Sequence, residues 1–165
     1  MKESLQYRFA REVIAYLQAD PLLAEVVESE PFDSEDQVQA LNLAANDQKV
    51  SVLVSPQGVK KPEDRLNHSS LTVSCAVEIL TTKNVQEGTA AALAAKWIDH
   101  IAARLLAWPK TIERSTTYEQ PVITDIGEAA VSSELPDHQN LIGHYVIIES
   151  NQPYKAYYGY TRPAY

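Results

Sequence analysis

Cysteine is nearly absent from this sequence, and a single copy, Cys75, excludes an internal disulfide framework. Glycine is scarce as well. Five glycines leave little material for a phosphate cradle, and no GxSxG elbow, glycine-rich phosphate loop, DxD or HExxH pattern occurs. No apolar run approaches the roughly 18 residues that a membrane span needs. Basic side chains are outnumbered, 14 against 22 acidic, and the net charge of −8 repels phosphate and anionic lipid, which argues against a broad nucleic-acid grip. The start of the chain, MKESLQYRFAREV, is charged and amphipathic without a continuous apolar core, so no signal peptide is expected and the protein is expected to work inside a cell. What is present is ordinary for a folded domain: 45% hydrophobic and 22% charged residues in a chain of 165, long enough for one core and short for two.

Apolar residues recur every three or four positions from Ser4 to about Ala19, through Leu5, Phe9, Val13, Tyr16 and Leu17, and predict an amphipathic helix. Asp20 and Pro21 end it, because proline lacks the amide and drives its predecessor from helical angles. Leu22, Leu23, Val26 and Val27 are expected to pack back against it. Residues 28–36 are acidic and turn-rich, and Asp33 or Ser34 can cap a short helix carrying Val38, Leu41 and Ala45. Alternation through Val50, Val52 and Val54, and again through Leu71, Val73, Cys75, Val77 and Ile79, predicts two strands, each with one buried face. Cys75 is thereby expected to be a buried free thiol. The loop between them, residues 55–70, is far longer than a tight hairpin needs. It is either a tolerated insertion or an arm toward a neighbouring subunit.

Asn84 stands three residues before Glu87, a capping-box-like start for a long helix whose stripe runs through Ala91, Ala94, Trp97, Ile98, Ile101, Leu105 and Trp108, with Pro109 ending it. Val122, Thr124 and Ile126 alternate in a third strand, and residues 144–150 form a fourth. The expected fold is α+β, in the order helix–strand–strand–helix–strand–strand, with a mainly antiparallel four-stranded sheet and the helices on one face. The expected domain spans residues 1–150, and residues 151–165 form a tyrosine-rich C-terminal extension.

No chemistry concentrates along the chain. His68, His100, His138 and His144 are scattered without a paired spacing, so no metal site is predicted. Asp99 and His100 are neighbours on a helix, where successive side chains diverge by about 100°, so neither supports the other without an outside partner. His68, Ser69 and Ser70 form an ordinary polar loop run rather than an aimed nucleophile and base. The acidic stretch lacks the loop order of a calcium site. No catalytic residue and no cofactor are predicted, and the chain reads as an assembly component rather than an enzyme. Candidate interface residues are Lys60, Lys61 and Arg65 in the long loop, a patch made nearly neutral by Glu63 and Asp64, and Tyr154, Tyr157, Tyr158 and Tyr160 in the terminal segment. Tyrosine suits an interface because it buries a large area while keeping a hydrogen bond.

The stretches VSVLVSPQG (residues 50–58), LTVSCAVEILTT (71–82) and NVQEGTAAALAAKWIDHIAARLL (84–106) follow one another as a valine-rich strand, an extended loop, a strand ending in a threonine pair and a long helix. With the N-terminal helix, this layout resembles the tail terminator and tail completion (minor tail) proteins of long-tailed bacteriophages, over roughly residues 1–126. The resemblance implies a ring of six copies that closes the tail tube and offers a surface for head joining. Its partners would be other copies of the chain, the tail tube protein and a head–tail connector protein. Six copies at −8 each, about −48 in all, would let DNA pass without binding. Its place would be the host cytoplasm during assembly and then the virion tail, with no membrane contact. The alternative is an acidic intracellular binding module, such as an immunity or inhibitor protein, that masks a basic partner.

Overall fold

A computed structural model of the chain describes residues 1–32, 50–61, 71–82, 89–108, 121–129, 141–152 and 154–159. The elements in order are α1 (Leu5–Gln18), β1 (Ser51–Lys60), β2 (Leu71–Thr82), α2 (Thr89–Leu106), β3 (Val122–Ala129), β4 (Leu141–Gln152) and a short α3 (Tyr154–Tyr158). This is the expected α+β order. The predicted helix at 34–45, the cap at Asn84 and Pro109 lie outside the described residues.

Ser4 caps α1 by accepting the Gln6 amide on its hydroxyl at 3.2 Å, satisfying one of the amides a helix start leaves unpaired. The buried side of α1 is Leu5, Phe9, Ala10, Val13, Ile14 and Leu17. The chain then makes a tight turn in which the Asp20 carboxylate accepts the Leu22 amide at 2.9 Å. Leu23 and Val27 enter the core, whereas Leu22 points outward at 66% exposure, against expectation. The turn is bonded from residue i to i+3 and i+4, so adjacent side chains diverge and only one of Leu22 and Leu23 can face inward.

The four strands form one antiparallel sheet in the order β1-β2-β4-β3. Residues 26–32 run parallel along the outer edge of β1. Val52 donates its amide to Val26, and the Glu28 and Phe32 amides donate to Val52 and Val54. β1 reaches Lys60, so the first six residues of the predicted 55–70 loop are strand. Pro56 is tolerated because it sits beside a bulge at Gln57, and Gly58 takes φ +134°, a backbone angle that side chains resist.

A second bulge, at Thr124, changes the reading of β3. Ile123 lies opposite Ile148 on the helix side, while Val122 is opposite Glu149 on the other side, and the extra residue returns Ile126 to the helix side. Val122 and Ile126 are 57% and 47% exposed, so the predicted buried alternation 122, 124, 126 does not hold. One inserted residue reverses every later side chain, which a strict period of two cannot anticipate.

Both long helices cover the same sheet face. α1 lies over β1 and β2, and α2 over β2, β4 and β3. Between them and the sheet lie Val52, Val54, Val73, Cys75, Val77, Ile79, Val146 and Ile148 with Ile101, Leu105 and Trp108 from the α2 side. Cys75 is buried, as expected, and desolvation pushes its thiol pKa up.

Candidate functional site

The predicted interface residues separate into two places. Lys60 ends β1, and its ammonium is 2.9 Å from the Glu149 carboxylate of β4, spanning β2. Lys61 follows it and is exposed, while Arg65 lies outside the described residues. The register explains the Lys60–Glu149 pair. Lys60 sits opposite Thr72, which in turn sits opposite Asn151, so Lys60 reaches Glu149 on the diagonal of the face away from the helices.

That face also carries Ser55, Ser74, Glu78, Tyr145, Asp125 and Ile147, and Leu53, Ala76 and Leu80 on it are buried, so β1 and β2 bury residues on both faces and not on one as expected. Tyr145 lies across β3, donating its hydroxyl to the Asp125 carboxylate at 3.0 Å. Its ring occupies the space above Gly127, where an added Cβ would stand 2.7 Å from the phenol oxygen. The hydrogen bond to Asp125, then the charge of that carboxylate, hold the Tyr145 phenol in its protonated form. Glu78, opposite both Leu53 and Tyr145, has its carboxyl pKa raised, chiefly because burial disfavours the charge; a hydrogen bond with Ser55 acts in the other direction. Sequence reading missed this group. Its signal was available as the single acidic residue inside the apolar alternation of 71–82.

Tyr154 and Tyr157 in α3 pack against the chain's own core, and Tyr158 is 39% exposed; Tyr160 lies outside the described residues. The Tyr157 hydroxyl donates to the Glu3 carbonyl at 3.1 Å, and the Lys2 ammonium donates to the Tyr157 carbonyl. Two cations flank the ring, Lys2 at 5.3 Å and Arg8 at 4.7 Å from its centroid. The strand that leads here continues to Gln152, two residues past the expected end of the domain at 150.

A third cluster clasps the helices. His100 Nε2 is 2.9 Å from the Asp20 carboxylate, the outside partner its position required. Tyr16 donates to the Arg104 carbonyl at 2.7 Å, Arg104 donates back to the Tyr16 carbonyl at 3.2 Å with its guanidinium over the Tyr16 ring, and Trp108 stacks on Tyr16 at 4.1 Å. Advancing along α1 from Tyr16 to Asp20 goes backward along α2 from Arg104 to His100, so the two helices run antiparallel. The Asp20 pKa is lowered, first by the Leu22 amide and then, against some desolvation, by His100. His144 is buried on the helix side of β4, 3.7 Å from Glu128, and its Nδ1 has no hydrogen-bond partner among the described residues.

Among the described residues no three His, Cys, Asp or Glu side chains group as metal ligands, and no described helix is long and apolar enough to cross a membrane. The arrangement sets Glu78 and Tyr145 on a sheet face where Leu53, Ala76 and Leu80 are buried, and holds a terminal tyrosine segment on cations. No protein-family model and no curated protein matches the chain.

Proposed function

We propose that this chain is a structural assembly subunit that closes a ring on the end of a phage tail tube, ending tube growth and preparing it for head joining. The observation that carries this reading is the layout. α1, the β1–β2 pair and α2 follow in the order on which the resemblance to tail terminator and tail completion proteins rests, and α1 and α2 share one face of the sheet. The sheet edges support association through other surfaces. β1 is lined by residues 26–32, a segment that meets Pro31, and β3 is interrupted by a bulge and carries Asp125 and Glu128, devices that discourage strand-to-strand growth. In a closed ring, two complementary patches on each subunit are consumed and none remains to add another copy. Assembly would take place in the host cytoplasm and end in the virion tail. The tube protein and a head–tail connector are the partners, and DNA passes an acidic lumen without specific contact.

Native mass spectrometry over a wide concentration range, with and without purified tail tubes, tests the reading. A discrete six-subunit species, or tube ends capped by this protein, is the expected result. Deleting residues 62–70 is expected to abolish capping while leaving a folded subunit. If the intact chain neither self-associates nor binds tube ends, the proposal is overturned.

The net charge of −8 favours a second reading, an acidic module that masks a basic partner. Association of that kind slows steeply as salt rises, whereas ring closure through apolar patches responds weakly.

A further inference from the structure

We propose that Thr81 and His144 form a binding site for one ordered water molecule, which bridges β2 to β4 inside the domain and fixes which nitrogen of His144 carries the proton. The inference stands independently of the ring reading and concerns a buried polar pair that the ring reading does not use.

The site begins with two exceptions to an apolar pattern. Val73, Cys75, Val77 and Ile79 of β2 turn buried side chains to the helices, and Thr81 comes next on the same face. On β4, Val146 and Ile148 do the same, and His144 comes just before them. The register sets Ile79 opposite His144 and Thr81 opposite Ile142, so Thr81 and His144 are diagonal neighbours on one face. Both are buried, at 1% and 9% exposure. Neither the Thr81 hydroxyl nor His144 Nδ1 has a hydrogen-bond partner among the described residues. Burying a hydroxyl and a ring nitrogen unpaired is costly, so such groups are met by protein or by water. The far end of the same face shows the first solution. Ser150 and Gln152 are buried there, and the Gln152 amide donates to the Ser150 hydroxyl at 3.2 Å. Thr81 and His144 make no such bond. Diagonal partners in a sheet stand roughly 7–8 Å apart, a gap that one bridging water spans, and two polar groups are the fewest that hold a water in an interior.

The bridge also assigns the tautomer. His144 Nε2 lies 3.7 Å from the Glu128 carboxylate, which is beyond hydrogen-bond length, yet the negative charge favours a proton on that nitrogen. Nδ1 is then a lone-pair acceptor and needs a donor. Water supplies it: the Thr81 hydroxyl donates to the water oxygen, and the water donates to Nδ1. Each group is satisfied once, and β2 is tied to β4 through their side chains as well as their backbones.

Nuclear magnetic resonance on the intact chain tests this, at a mildly alkaline pH where an ordinary imidazole is neutral. Long-range proton–nitrogen correlation of the His144 ring is expected to show Nδ1 without a proton. A water-selective Overhauser experiment is expected to show a long-lived water beside the ring. Magnetic relaxation dispersion of the solvent then counts internal waters. Thr81→Val keeps the shape and removes the hydroxyl, and should lower that count by one, whereas Thr81→Ser should preserve it; circular dichroism checks that both fold. A proton on Nδ1, or no long-lived water at the ring of the unaltered chain, overturns the proposal without relying on any variant. An unchanged count in folded Thr81→Val overturns it as well.

Discussion

Tyr145, Glu78 and Cys75 show how single side chains are set by their cross-strand neighbours. The Tyr145 ring needs the space above Gly127, so Gly127→Ala is expected to push the phenol aside and break its bond to Asp125. The expected result is a lower urea midpoint than that of the unaltered chain. In a Tyr145→Phe background the same substitution should cost less, since the bond is already gone. Glu78 binds its proton more readily when folded than when unfolded. Its contribution to stability is therefore fully present below its ordinary value of 4.5 and is lost as pH rises through the raised folded value. Glu78→Gln is expected to flatten the pH dependence above the ordinary value of 4.5 and to be the more stable form at neutral pH, measured as urea midpoints. Cys75, buried and held as the thiol, should react with a maleimide only at the rate of unfolding.

The helix clasp shows what elements add beyond residues. Tyr16, Arg104 and Trp108 fasten the end of α1 to the end of α2, so Trp108→Ala removes a buried ring and both helices lose a contact. A loss of roughly 3 kcal/mol is expected in chemical denaturation. The Asp20 carboxylate, held down first by the Leu22 amide and then by His100, works in the opposite pH sense to Glu78. The Asp20 pKa is depressed, so its stabilisation is present above its ordinary 3.8 and disappears as pH falls through the lower folded value. Asp20→Asn should make acid unfolding less steep in that window, and an unchanged acid limb would count against a stabilising role for the Asp20 charge. The stripes of α1 and α2 were legible because a 3.6-residue period survives any neighbour. β3 was misread because a bulge is a property of two paired strands, and Thr124 carries no mark of it.

For the whole molecule, the fold leaves two discouraged sheet edges and a terminal tyrosine segment packed on the domain's own core. If the chain closes a ring as proposed, sedimentation should show a stoichiometry that plateaus at a closed number instead of growing with concentration. Raising salt from about 0.05 to 0.5 M should alter this little. Continued growth with concentration would instead indicate an open polymer.

The sequence by itself determined the class and order of the elements, the stripes of α1 and α2, and the burial of Cys75, because each follows from local periodicity and from stops such as Pro21. Tertiary structure alone decided the rest. It set the order β1-β2-β4-β3, placed residues 26–32 beside β1, turned Val122 outward, desolvated Glu78 and gave His100 its partner Asp20, 80 positions away. It also seated Tyr157 on the first residues of the chain. These contacts join residues far apart in sequence, and their free energy exists only once the sheet has brought the strands together.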